Sequence, residues 1–519
     1  MKFSRKIEVK VMKKLSLKER IKQYWDASFP ILYFNTFEEL NALETIFDAA
    51  KGCNRQVLVW SYADGINLYA NGELKDKNVN RTAKTPLKNV LALTLERMLD
   101  AGQLEGKVLV FTDIHHYLEE TEVITQLKKY VNRINEGADF SLVFLTPVVK
   151  IPHELEKFIT IIESEYMDYN EIRQTIEGFI NEQEMPMVAD ELLDEIAMAF
   201  KGLTKFEIYN LLALAYSDDG DLTRSDLALI YDQKKQMIMK SGILEMITVK
   251  EKISDIGGLE NLKEWFKKKA KVIKNINAAE KFGVAMPKGV LIAGVPGCGK
   301  SLSAKAAAAL FEVPLLRMDM GRLMGKYVGE SEGNLRKAIT LSEAIAPCVL
   351  WIDELEKAFA GIGGGGSEVT TRLFGNFLTW MQEKESAVFV IATANNIMEL
   401  PPELMRKGRF DEIYFVGLPK PEERKKIFEI HLTKRRPQDV GAVDLQRLAN
   451  KTEGYSGADI EGVVKDAVED VFANNKGKVT TDDVIKMIEN THSLSEIMKE
   501  QLEKMNKEYK ERKFKNASR

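Results

Sequence analysis

Gly294, Gly299, Lys300 and Ser301 are spaced as GxxxxGK[ST] inside LIAGVPGCGKSLSAKAAAAL, from Leu291 to Leu310. Glycines there let backbone N–H groups turn inward around a phosphate chain, and a helix starting at the loop adds the positive end of its dipole. The lysine would bridge the outer phosphates, and the serine hydroxyl would hold Mg²⁺. The flanks supply the needed context: apolar GVLIA reads as a strand and SAKAAAALF as a helix.

Three further stretches carry chemistry that such a loop needs. CVLWIDELEKAFA ends an apolar run on Asp353-Glu354, two carboxylates at the carboxyl end of a buried strand, where open α/β sheets bind ligands. Asp353 suits holding Mg²⁺, partly through water, and Glu354 suits polarising an attacking water. Alone, such a pair is often only a strand end; behind a phosphate loop at this distance the signal is strong. AVFVIATANNIMEL ends another apolar strand near Asn395, whose amide can orient the water or sense the outer phosphate. By itself that tip reads as a turn. LPPELMRKGRFDEIYF puts Arg406 and Arg409 before the next strand. An arginine there can reach a phosphate held by a neighbouring subunit, although surface arginines are usually just solvated.

These residues sit late in a chain of 519 residues, long enough for roughly three or four domains. Hydrophobic content of 45% and charged content of 29% fit an ordinary globular protein. A formal net charge of -4 gives no strong nucleic-acid signal. Cys53, Cys298 and Cys348 are far apart and odd in number, so neither a disulfide framework nor a zinc site is indicated. A reducing cytoplasm is the simplest compartment. No run approaches the length of a membrane span, and the basic residues 1–20 lack the apolar stretch of a secretory signal, reading instead as a solvated arm.

Taken in order, the motifs between about Ile253 and Ile488 resemble the AAA ATPases, specifically the clade with a second region of homology. The resemblance implies ATP and Mg²⁺ as ligands and a run of nucleotide contacts at Gly294, Pro296, Gly297, Cys298, Gly299, Lys300, Ser301 and Leu302. SDIGGLENLK looks like the segment leading into that domain, with Ile256 and Gly257 against the adenine. GLPKPEERKKIFEIHL makes His431 a candidate base or ribose contact, and GYSGADIEGVVKDA brings Gly457 and Ala458 near the adenine. It also implies a homo-oligomeric ring, usually of six, with ATP between neighbours and a central pore. MGKYVGESEGNLRKA looks like the first pore loop, so Tyr327 and Val328 would grip an extended polypeptide. GIGGGGSEVTTRLFGNF falls where a second pore loop is expected, with Arg372 facing the interface. Two positions depart from the family pattern: Leu355-Glu356 gives DELE where DEID is common, and Lys407 stands where proline is common. Cys298 in the loop is a common variant, and a redox switch there requires a lowered thiol pKa.

The first half carries a fainter version of the same pattern. KVLVFTDIHHYLEE has the shape of CVLWIDELEKAFAG, and FSLVFLTPVVKIPHELEKFITIIE that of VFVIATANNIMELPPELMRKGRFDEIYF. DEIAMAFKGLTKFEIYNLLALA lies over QRLANKTEGYSGADIEGVVKDA, with Gly202 over Gly454. Three matches in order indicate a degenerate second copy; coincidental α/β patterning is the alternative. In this alignment Asp113 keeps the place of Asp353, Ile114 replaces Glu354, and NTFEELNAL lacks the glycines and lysine of a phosphate turn. His115-His116 reads as a polar turn whose side chains point apart. An inactive half before an active one, with VLVWSYADGINLY, is similar to the group known from cyanobacterial and chloroplast genomes as hypothetical chloroplast reading frame forty-six, which adds the chloroplast stroma as a compartment.

The expected fold is α/β: an AAA+ module of parallel sheet, flanking helices and helical lid, preceded by a degenerate AAA-like α/β module with its own helical segment. The expected domains are a basic arm over 1–20, the degenerate domain over 21–170, a lid-like segment and junction over 171–245, the ATPase core over 246–418, a lid over 419–490 and a charged tail over 491–519. That tail reads as a frayed or partner-bound helix, or as a solvated extension. The leading function is an ATP-hydrolysing ring motor that threads or remodels a protein. An ATP-switched scaffold that does not thread is the alternative, and a nucleic-acid-acting AAA protein ranks behind both.

Overall fold

The computed structural model describes residues 16–519 except 71, 76–83, 164–165, 241, 324–329, 359–367, 397–398 and 513. Tyr327 and Val328, most of the basic arm and the glycine run of the second pore loop lie outside the described residues. The chain forms two units, Met1–Tyr166 with Thr204–Glu207, and Met167–Leu203 with Ile208–Arg519.

Alternating apolar residues build the first unit. β1 (Ile31–Asn35), β2 (Gln56–Ser61), β3 (Gly65–Ala70), β4 (Glu73–Lys75), β5 (Lys107–Thr112), β6 (Phe140–Thr146) and β7 (Ile159–Glu163) form one sheet in the order β4-β3-β2-β5-β6-β1-β7. Ile31 and Tyr33 face one core with Phe111 and Phe144, whereas Leu32 and Phe34 face the other with Val110 and Val143, as the two-residue period of a strand requires. The helix Thr121–Asn135 covers the first face with Leu127 and Tyr130, and Glu39–Lys51 covers the second with Leu43 and Ile46. Each such fully buried apolar side chain contributes about 1.5–3 kcal/mol.

In the second unit, β8 (Leu244–Ile247), β9 (Gly289–Gly294), β10 (Leu315–Met318), β11 (Cys348–Ile352), β12 (Val388–Ala394), β13 (Glu412–Val416) and β14 (Lys515–Asn516) run in the order β14-β13-β9-β12-β11-β10-β8. The order β13-β9-β12-β11-β10 has its counterpart in β7-β1-β6-β5-β2 of the first unit, and the adjacent pairs in both series are parallel. Backbone geometry changes the equivalence read from sequence. Asp113 at φ 50° and Glu354 at φ 51° each occupy the left-handed region just after the strand and just before a helical turn. Asp113 therefore stands where Glu354 does, and Thr112 where Asp353 does. The side chains of His115 and His116 do not point apart: their ring centroids lie 4.0 Å apart with the planes tilted by 38°, because Ile114–His116 is a 3-10 turn rather than extended strand.

Two helical segments, apart from Thr204–Glu207, complete the second unit. The helices Tyr169–Glu182, Asp190–Phe200, Lys205–Asp219 and Asp226–Lys240 share a core around Ile176, Phe200 and Leu212. Lys201 reaches the Ala346 carbonyl, and Gly202 lies against Ile345, beside the amino-terminal end of β11. The second segment, Pro421–Arg435, Leu445–Lys451, Gly457–Ala473 and Thr481–Glu489, packs around Phe428, Leu448 and Val464. Both share a local device. Gly202 (φ 82°) and Gly454 (φ 81°) each precede a capping box, Thr204 with Glu207 in one case and Ser456 with Asp459 in the other. Residues 499–512 are helical, and the chain then joins the sheet as β14, so this tail is neither frayed nor simply solvated.

Candidate nucleotide site

The carboxyl ends of β9, β11 and β12 open onto a cavity of about 320 Å³. Its lining includes Ile256, Gly257, Gly297, Cys298, Gly299, Lys300, Ser301, Leu302, Asp353, Glu354, Asn395, His431, Gly457 and Ala458, fourteen of the positions singled out in the sequence. Two nucleotide-contact candidates stand apart from it. Gly294 ends β9 so close to Val416 that a Cβ would lie 2.1 Å from its carbonyl oxygen, and Pro296 is half-buried beside the cavity without lining it.

The loop is held from both sides. Gly297 (φ +72°) has room for no side chain, since a Cβ would lie 2.9 Å from Ala458 Cβ. The Ala458 amide donates to the Gly297 carbonyl at 2.9 Å, joining the lid helix to the loop. Lys300 Nζ donates to the Gly294 and Val295 carbonyls, both at 2.8 Å, and burial pulls its ammonium down to about 8. A phosphate chain offers this lysine stronger, charged acceptors than two carbonyls.

The acidic side is equally ordered. Asp353 Oδ1 accepts from Ser301 Oγ at 3.4 Å and also from the Thr393 hydroxyl. Asn395 Nδ2 donates to Glu354 Oε1 at 3.3 Å, so the paired carboxylate and amide meet across β11 and β12. Lys357 contacts the other Glu354 oxygen at 2.7 Å. His431 lies 3.6 Å from Glu461, and burial lowers its pKa although Glu461 opposes that. Cys298 does not fit a redox switch: burial pushes its thiol up to about 11, away from the reactive thiolate.

Arg406 is exposed and Arg409 half-buried, with Arg409 donating to the Glu403 carbonyl. Among the described residues, no arginine lines the cavity. Several residues at or behind the site escaped the sequence reading, four of them with a clear part in its geometry. Thr393, a lone hydroxyl in an apolar strand, was open to notice. Glu356, which accepts the Asn395 amide at 2.9 Å, was visible only as a departure from a pattern. Glu423, which accepts the Leu259 amide at 3.1 Å, and Ser518, which lines the cavity, had no local signal.

A glycine loop on a parallel sheet, acidic strand ends and a helical lid closing over the base end define an AAA ATPase. Comparisons with known proteins agree. Residues 290–418 match the ATPase family associated with various cellular activities, and 442–486 match the AAA+ lid domain. Residues 17–164 and 170–241 match the N-terminal and second domains of SpoVK-like AAA ATPases. The chain is 36% identical over 481 residues to the AAA domain-containing protein ycf46 of Guillardia theta, covering 92% of each chain. It is 29% identical to a cell division cycle protein 48 homolog of Archaeoglobus fulgidus, over 67% of this chain and 51% of that one. It is 35% identical to the proteasome-activating nucleotidase of Aeropyrum pernix, over 45% of this chain and 58% of that one. The chain belongs to the ycf46 family of AAA ATPases. It binds a nucleotide and hydrolyses ATP to ADP and phosphate. Among the described residues, no helix is long and apolar enough to cross a membrane.

Proposed function

We propose that the chain works as a homo-oligomeric ring, of six subunits, that uses ATP hydrolysis to pull on a protein. The observation carrying this reading is the cavity's charge: it offers Lys300 but no arginine among its described lining, while exposed Arg406 and half-buried Arg409 stand outside it. A neighbour's arginine would complete the site, as in-trans fingers do. The relatives named for cell division cycle protein 48 and for proteasome activation support a protein substrate.

In this mechanism the loop amides and Lys300 bind the phosphates, and Ile256, Gly257, His431, Gly457 and Ala458 hold the base end. Ser301 and Asp353 present hard oxygen donors suited to Mg²⁺, with Asp353 fixed by Thr393. Bound Mg²⁺ supplies charge stabilisation at the outer phosphates. Glu354, aimed by Asn395, accepts the proton of the attacking water. Arg406 and Arg409 of the neighbour meet the charge that develops, and Tyr327 with Val328 transmits the stroke to the polypeptide.

The first unit, in this reading, is an inactive copy that serves recognition or assembly. Its strand order, the left-handed Asp113 and the matching Gly202 and Gly454 caps support the copy. Only Thr36–Glu38 connect β1 to its helix, against Val295–Gly299 in the second unit. Glu39 takes the first helical position that Lys300 holds, and burial, with Asp113 and Asp64 nearby, raises its pKa. Such carboxylates repel a polyphosphate.

The test compares proteins that co-purify with Glu354→Gln and Lys300→Ala in ATP. Clients enriched on the first and lost on adding Tyr327→Ala support threading. Enrichment that survives Tyr327→Ala favours the ATP-switched scaffold and overturns the motor.

A further inference from the structure

Residues 515–519 lie a long way in sequence from every motif of the ATP site, yet they touch three of its walls. β14 pairs in parallel with β13, Lys515 opposite Tyr414 and Asn516 opposite Phe415. The Ala517 amide extends the ladder to the Phe415 carbonyl at 2.9 Å. β13 runs directly into Gly417 and Pro419, which line the cavity.

The second wall is the segment Asp255–Leu259, which leads into the helix Glu260–Ile273. Leu259, the residue capping that helix, makes no side-chain cap, so its first amides need acceptors from elsewhere. The Ala517 carbonyl accepts the Leu262 amide at 3.2 Å. Asn261 Nδ2 donates to the Asn516 and Ser518 carbonyls at 3.1 and 2.8 Å. The third wall is the lid helix Pro421–Arg435, which carries Glu423, Ile427 and His431 to the cavity. Lys420, its capping residue, donates to the main-chain oxygen of Arg519. Ala517 is 0% exposed and Ser518 is 8% exposed, and Ser518 itself lines the cavity. Upstream, Tyr509 stacks on Phe415 with ring centroids 4.3 Å apart, which anchors the approach.

We propose that residues 515–519 form a strap that sets the shape of the base end of the ATP site, with Ser518 as a positioning residue. The strap joins the core sheet, the segment beside the base and the start of the lid. The phosphate end, built by Gly297–Ser301 and Asp353, makes no described hydrogen bond to it. The strap therefore governs affinity for the nucleoside part of ATP rather than the chemical step. This inference rests on the ATP-binding reading of the cavity.

The test measures competition of ATP and of inorganic tripolyphosphate against a fluorescent adenine nucleotide, with steady-state ATPase rates, on the full chain. Variants are Ser518→Phe, Asn261→Ala and deletion of 515–519, each checked by thermal melting. Ser518→Phe and the deletion should weaken ATP at least about tenfold while tripolyphosphate changes by less than about twofold. KM should rise with kcat nearly unchanged, and Asn261→Ala should shift both readouts in the same directions by a smaller factor. Equal weakening of both probes, a fall confined to kcat, or unchanged ATP affinity in Ser518→Phe overturns the strap. If the deletion fails to fold, the two point variants decide. Lys300→Ala should weaken both probes; if the unaltered chain binds neither, the ATP-site reading fails and the strap with it.

Discussion

Glu356 accepts the backbone amide of Asn395 at 2.9 Å, one helical turn after β11 reaching the tip of β12. It is 3% exposed, and its second carboxylate oxygen has no hydrogen-bond partner among the described residues. Asn395 in turn donates to Glu354. The residue that departs from the common family pattern thus holds the backbone of Asn395, whose side-chain amide aims the carboxylate proposed to activate water.

Burial raises the Glu356 pKa above its ordinary 4.5. A raised folded-state value favours the protonated fold, so this stabilising effect is full below 4.5 and is lost as pH rises through the folded value. Glu356→Gln keeps an acceptor for Asn395 and removes the buried charge. It should melt at or above the wild-type temperature at about pH 7, with the difference vanishing toward about pH 4. Glu356→Ala should instead lower kcat by about tenfold, through misplacement of Asn395. Melting curves across pH and ATPase rates check both.

Lys234 is 1% exposed and donates to the Ala199 carbonyl at 2.8 Å. Burial lowers its pKa from 10.5 to about 7, with Lys201 adding to the shift and Cys348 opposing it. A depressed value means stability is present above 10.5 and is lost as pH falls toward about 7. Lys234→Met forfeits one hydrogen bond, worth about 1 kcal/mol, and removes that charging cost. It should raise the melting temperature near pH 7 and lose the advantage as pH approaches 10.5. A lower melting temperature at both pH values would count against this account.

If Arg406 acts on a neighbour's site, Lys300→Ala and Arg406→Ala chains are each inactive alone but complement when mixed. In equal mixtures roughly a quarter of interfaces pair an intact Lys300 with an intact Arg406. ATPase activity should reappear on mixing and subunit exchange. Activity that stays at the level of the separate variants rules out the in-trans role.

The short β1 turn and Glu39 predict one nucleotide per chain. Calorimetry should give a stoichiometry near one, falling toward zero in Lys300→Ala. A second tight site that survives Lys300→Ala would refute the inactive-copy reading.

Contiguous spacing encodes the chemistry of the second half, and so that chemistry could be read directly from the residues. A glycine loop, its lysine and serine, and the strand-end carboxylates are each set by a few adjacent backbone positions, so Lys300, Ser301, Asp353 and Glu354 were legible before any fold was known. The internal likeness of the two halves was legible too, but only as strand and helix shapes. Folding in three dimensions set the alignment within it: the left-handed backbone at Asp113 matches Glu354 rather than Asp353, a dihedral that residue types do not reveal. Packing likewise buried the Cys298 thiol and brought Glu356 to Asn395. The docking of β14 was beyond any sequence pattern. Two residues paired to a sheet edge have no periodicity of their own, and their partners, Tyr414 and Phe415, are brought to them only when the whole domain folds.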